Sequence, residues 1–220
     1  WIKNYGSAAL TGILLALIAF FGWHYWEKRQ ESKNTATMQE YKKIVTESEG
    51  VANDKAAQSR FISSVQALVK ANPDSIFALQ ALLLQAKVTA AQGEWASAEK
   101  ALTQAVALNV EDKGFINIAW LRLARVQAAQ NKSDVALATL KKVTEPAFVA
   151  SSEELRGDIL VQKNDIKGAK VAYESAWAAL VKRQQTRELL RVKMNAIGLI
   201  PTEITPPNPI RETPQMSNIP

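Results

Sequence analysis

The feature that most constrains this chain is an order of side-chain sizes that recurs three times at fixed offsets. It runs through "QAKVTAAQGEWASAEKALTQA" (85–105), "LARVQAAQNKSDVALATLKKV" (123–143) and "RGDILVQKNDIKGAKVAYESA" (156–176). Each begins near a small residue: Ala86, Ala124 or Gly157. Seven positions later stands a turn residue, Gly93, Asn131 or Asn164, and five further an alanine, Ala98, Ala136 or Ala169. Four further comes a bulky residue, Leu102, Leu140 or Tyr173, and three beyond that Ala105, Val143 or Ala176. The units lie 38 and then 33 residues apart. Two antiparallel helices that cross closely need a small side chain at the contact and a larger one in the hole beside it. Glycine and asparagine suit the left-handed residue that ends the first helix.

A unit near 34 residues with this order resembles the tetratricopeptide (TPR) repeat. The departures are Thr89, Gln127 and Leu160 where that repeat usually has tyrosine, and the lack of its terminal proline. Turn signals at Gly50, 72–75, Gly93, 109–114, 130–134, 144–147 and 163–168 separate helix-length segments, and no segment alternates like a strand. The fold class is therefore all-α. Residues 35–71 read as an atypical first hairpin. A helix over 181–199 is expected to cover the far end with Leu189, Leu190, Val192 and Ile197. Its Lys182, Arg183, Arg187, Arg191 and Lys193 read as a solvated face, or as one meeting lipid headgroups or an acidic partner. Residues 200–220 carry six of the chain's eight prolines and read as a flexible tail.

Ahead of this body, 23 residues between Lys3 and Glu27 contain no acid or base apart from His24, the single histidine. As a helix they span about 30 Å of hydrocarbon. Trp1 and Tyr5 flank one end and Trp23, Tyr25 and Trp26 the other, where amphipathic rings favour headgroup level. Bulky Phe20, Phe21 and Trp23 occupy the place of a small-residue cleavage site, so the segment reads as an uncleaved anchor. The expected organisation is a transmembrane anchor at 1–27, a linker at 28–34, a TPR-like helical domain at 35–199 and the tail. Ala8, Gly12 and Ala16 form a small-residue ridge on which another transmembrane helix could seat. Lys28, Arg29, Lys33, Lys42 and Lys43 follow the span and only Lys3 precedes it. Taken alone, that would put the body in the cytoplasm.

Chemistry is sparse. With no cysteine and one histidine, thiol nucleophiles, common zinc sites and most Ser-His pairs are excluded, and no cofactor is expected. A net charge of +6 suits an acidic partner or a membrane surface, and no nucleic-acid motif accompanies it. Ser97 and Lys100 match the S-x-x-K of acyl enzymes, without the other elements of that machinery. Glu153, Glu154 and Asp158 cluster. Glu154 and Asp158 share a helix face, and Ser151 with Glu154 fits a capping box. Arg122 and Arg125 lie on a first helix, where they are candidate groove contacts for an acidic peptide end. The chain reads as a scaffold rather than an enzyme.

The order of parts, with "GWHYW", "YKKIV", "LRLARVQ" (121–127), "ALATL" (136–140), "LRGDIL" (155–160), "DIKGAKVAYESA" (165–176) and "RVKMNAIG" (191–198), resembles the YfgM-type, TPR-like membrane proteins of Gram-negative bacteria over residues 1–199. The resemblance implies a single-pass inner-membrane protein with a cytoplasmic N-terminus and its body in the periplasm. It also implies association with the SecYEG translocon and the periplasmic chaperone PpiD, and a part in handing secretory client proteins to periplasmic chaperones. The charges around the span depart from that orientation.

Overall fold

A computed structural model describes the backbone of residues 2–51 and 54–202, with side chains from Leu17 onward. Among the described residues there is no strand. Within the described residues nine α-helices follow one another: α1 (Ile2–Glu49), α2 (Lys55–Ala71), α3 (Ile76–Ala91), α4 (Trp95–Ala107), α5 (Lys113–Ala129), α6 (Ser133–Leu140), α7 (Val149–Gln162), α8 (Ile166–Val181) and α9 (Glu188–Ala196). A 3₁₀ turn, Pro146–Phe148, leads into α7. The chain divides into two compact units. One holds α1 to α3, and the other, residues 95–106 and 112 onward, holds α4 to α9.

In the first unit the C-terminal half of α1 packs against α2 and α3. Ile44, Phe61, Val65, Leu79 and Leu82 are buried there, and Tyr41 meets Phe77 with ring centroids 5.8 Å apart. The atypical hairpin expected at 35–71 is thus the end of α1 paired with α2. α1 has no break at 28–34, the segment expected to link anchor and body. Asp54 and Ser75 cap α2 and α3 by accepting from the amides of Ala56 and Phe77, so each helix begins where a side chain replaces the missing backbone acceptor. Gln58 Nε2 donates to Gln92 Oε1 (2.7 Å) and Glu94 Oε2 (2.8 Å), tying the start of α2 to the end of α3.

In the second unit α5 pairs with α6 and α7 with α8, and the two hairpins touch through α5–α7 and α6–α7. Leu121, Ala124, Ala136, Leu140, Leu155 and Ile159 form one shared core. Glu99 on α4 accepts from Gln130 (2.9 Å) and Lys132 (2.6 Å), which fastens α4 to the α5–α6 turn. Lys132 holds the Glu99 carboxyl below its ordinary range, against the opposing effect of burial. Asn117 is buried and its Oδ1 accepts from the amides of Thr144 (2.8 Å) and Glu145 (3.2 Å), pinning the loop after α6.

Two sequence expectations differ from the structure here. The last helix is Glu188–Ala196 rather than 181–199. Leu190 and Met194 are buried in it, while Leu189 and Val192 face out. The reason is the left-handed backbone at Gln184, which closes the end of α8 and makes the chain restart. The capping box is absent as well. Pro146 starts a 3₁₀ turn that brings α7 in at Val149, so Ser151 lies inside the helix.

Candidate functional site

The repeat residues of the α5–α6 and α7–α8 pairs join the cores of those hairpins. Ala86, Ala98, Leu102, Ala105, Ala124, Ala136, Leu140, Gly157, Ala169, Tyr173 and Ala176 are buried, and Val143 is half-buried. Gly93, Asn131 and Asn164 have φ of 78°, 60° and 61°, the left-handed region. At each, the following amide reaches back to the first helix. Glu94 donates to the carbonyl of Thr89 (2.9 Å), Lys132 to Gln127 (3.0 Å) and Asp165 to Leu160 (2.9 Å). This is the Schellman closure. The positions that depart from the TPR tyrosine are therefore those whose carbonyls close the turn. Thr89, Gln127 and Leu160 are all buried, and Gln127 Oε1 accepts from Thr139 Oγ1 at 2.7 Å.

α7 and α8 approach closely at Gly157. A Cβ placed on Gly157 would lie 2.3 Å from Cε1 of Tyr173, so the ring occupies the space that a side chain at 157 would need. In the preceding hairpin the corresponding residues are Ala124 and Leu140, which share one core. A smaller filler goes with a larger floor. Tyr173 Oη donates to Asp158 Oδ1 at 2.7 Å. Burial, and then that acidic partner, push the phenol well above its ordinary value.

The acidic cluster on α7 is consumed by structure. Lys193 Nζ on α9 donates to Glu154 Oε1 (2.8 Å) and Asp158 Oδ2 (2.7 Å). Arg187 donates to Glu154 Oε2 at 2.6 Å. Burial alone would raise the Glu154 carboxyl, but Lys193 and Arg187 outweigh it and hold the group low. Burial likewise opposes the Lys193 charge, and Asp158 and Glu154 outweigh it to raise the ammonium. Glu153 pairs with Arg156 on its own helix. Arg183 donates to the carbonyls of Pro146 and Ala147, and Arg191 pairs with Glu188. Of the five cations expected to form a solvated or lipid-facing basic helix, four are thus engaged within the chain. Sequence reasoning missed this network because its partners lie 33 to 39 residues apart.

Other candidates stand apart. Ser97 is half-buried and Lys100 exposed on α4, flanking the packing residue Ala98. Arg122 and Arg125 are exposed on α5, and neither takes part in an ion pair among the described residues. Partial burial, then the neighbouring Arg125, lower the Arg122 guanidinium. No metal-binding cluster occurs among the described residues. Ala8, Gly12 and Ala16 lie on α1, but their side chains fall outside the described residues. Also among the described residues, no helix is long and apolar enough to cross a membrane. The expected anchor at 1–27 is therefore not supported among the described residues, and the side chains of residues 4–16 lie outside them. What α1 does show is Leu17, Ile18, Phe20, Phe21, Trp23, Tyr25 and Trp26 all 46 to 69% exposed.

The sequence pattern of the tetratricopeptide repeat-like domain matches residues 1–199. The chain belongs to this family. Among curated relatives, the ancillary SecYEG translocon subunit of Aggregatibacter actinomycetemcomitans is 31% identical over 89% of this chain and 91% of its own. The protein of the same name in Escherichia coli strain K12 is 30% identical over 88% and 90%. That of Haemophilus influenzae is 29% identical over 89% and 91%. No solved structure matches. The TPR-like family assignment agrees with the matched turns at Gly93, Asn131 and Asn164, the backbone feature that a repeat of paired helices requires.

Proposed function

We propose that this chain is a membrane-anchored, non-enzymatic scaffold of the Sec translocon. Its TPR-like helices would bind SecYEG and the periplasmic chaperone PpiD, and assist transfer of secretory proteins to periplasmic chaperones. The observation that carries the reading is the match, over about nine-tenths of both chains, to relatives named ancillary SecYEG translocon subunits. The anchor is supported by the second half of the apolar run, residues 17–26. Large apolar groups stand exposed on every side of that helix, an arrangement stable only in an apolar solvent or a protein contact. The anchor would raise the effective concentration of the body at the translocon, so weak docking contacts suffice. Arg122 and Arg125, exposed and not ion-paired among the described residues, are the proposed groove contacts for an acidic peptide end. Ala8, Gly12 and Ala16 are the proposed seat for a partner transmembrane helix.

The test is purification from native membranes in mild detergent. SecYEG and PpiD are expected to co-purify, and their consistent absence sinks the reading. Orientation is read separately. Lys142 is exposed, and the chain has no cysteine, so Lys142→Cys gives a single reporter. Labelling by an impermeant maleimide on intact spheroplasts is expected for an inner-membrane protein with a cytoplasmic N-terminus and its body in the periplasm. Labelling only after lysis would turn the body to the cytoplasm, as the cations after the span favour, and would leave a cytoplasm-facing TPR receptor.

A further inference from the structure

We propose that one face of α1, carrying Lys28, Arg29 and Lys33, is a docking surface for the anionic headgroups of the bilayer. This deepens the anchor reading above and rests on it. A helix turns by about 100° per residue. Lys28, Arg29 and Lys33 therefore fall within about 140° of arc, with Tyr25, Ser32 and Trp26 interleaved or bordering. Glu27 and Glu31 fall on the opposite half. Tyr25, Trp26, Lys28, Arg29, Ser32 and Lys33 are all exposed on this face. No ion pair among the described residues involves the three cations, although Glu31 is three residues from Lys28. The contrast with the C-terminal cations is the telling point. Arg187, Arg191 and Lys193 are each matched to a carboxylate of this chain, whereas the α1 cations are left to meet charge from elsewhere.

Their position says what that charge is. They follow directly on exposed Trp23, Tyr25 and Trp26, ring types that favour headgroup level. At that level the fixed anions available are lipid phosphates, each surface Lys or Arg is attracted to them, and such residues set a helix's tilt and rotation. A cationic face backed by an acidic one would lean α1 toward the bilayer on the Lys28–Lys33 side.

The full chain is reconstituted in phosphatidylcholine vesicles with and without phosphatidylglycerol, and flotation is measured first. A chain that floats with neither vesicle overturns the anchor reading and this one with it. For a chain that floats, association of spin-labelled phosphatidylglycerol relative to spin-labelled phosphatidylcholine is then read by electron spin resonance. A preference of about fivefold or more, the factor one surface cation supplies, is expected. Lys28→Gln/Arg29→Gln/Lys33→Gln is expected to abolish it with flotation intact, and Glu27→Gln/Glu31→Gln to retain it. Equal association of the two lipids overturns the lipid preference alone, as does a preference that survives the triple substitution or is lost with the glutamate pair. Inorganic phosphate at constant ionic strength is expected to leave the preference in place, and displacement by it would overturn the assignment to lipid.

Discussion

Gly157 holds its place because Tyr173 occupies the volume above it. The clash distance of 2.3 Å to a Cβ is far inside van der Waals contact, and the ring is buried and tied to Asp158. Gly157→Ala is expected to destabilise the second unit by about 1–3 kcal/mol despite the better helix propensity of alanine. Adding Tyr173→Leu should recover part of that loss by reproducing the Ala124–Leu140 pairing. Thermal unfolding of the two single variants and the double one measures the coupling, and strict additivity would refute the pairing. Gln184 has φ 54° at the end of α8, where it plays the part of Gly93, Asn131 and Asn164. Glutamine gains nothing in that conformation. Gln184→Gly is therefore expected to stabilise by about 0.5–1 kcal/mol in denaturant melts. The two asparagines and Gly93 announced their turns in the sequence because asparagine and glycine are the residues that adopt left-handed backbone most readily. Gln184 gave no such signal, which is why the sequence suggested one helix over 181–199 where the chain in fact stops and restarts.

At the scale of the element, α9 is held by a short apolar stripe and a charge network. Leu190 and Met194 join the core around Trp177, Ala176 and Leu180, while Lys193 and Arg187 clasp Glu154 and Asp158. Removing one member of a buried ion pair costs about 3–5 kcal/mol. These groups retain some solvent contact, so Glu154→Gln is expected to cost about 2 kcal/mol near neutral pH. The pH dependence follows from the direction of each shift. Glu154 is held below its ordinary 4.5, so its contribution is present above that value and is lost as pH falls through the depressed one. Lys193 is raised above its ordinary 10.5, so its contribution is present below that value and is lost as pH rises through the elevated one. The gap in unfolding free energy between the parent chain and Glu154→Gln should be constant between these limits and shrink on acidification below 4.5. A gap independent of acid would remove the network from the account. Little of this was legible beforehand. Periodicity reports what lies one or two turns away, and a carboxylate that meets a lysine 39 residues later leaves no local trace.

Across the whole molecule the continuity of α1 matters most. It runs unbroken from the apolar segment to Glu49, and among its described side chains the first buried one is Thr37, with Ile44 further on. Between Trp26 and Thr37 about 16 Å of exposed helix, at 1.5 Å per residue, joins a segment that wants an apolar environment to one fixed in a protein core. On the proposed anchor reading, a flexible tether would let the first unit swing, whereas a continuous helix would hold that unit at a set height and angle. Proline inside a helix removes one hydrogen bond and clashes with the preceding turn, at a local cost of about 3 kcal/mol. Glu31→Pro places that break among exposed residues and away from the core of either unit. The body's thermal unfolding is expected to stay unchanged, while recovery of SecYEG with the chain falls. Substitution by alanine at the same position should leave both intact. If Glu31→Pro co-purified with SecYEG as well as the parent chain, the anchor would act by proximity alone and the rigid stalk would have no part in docking.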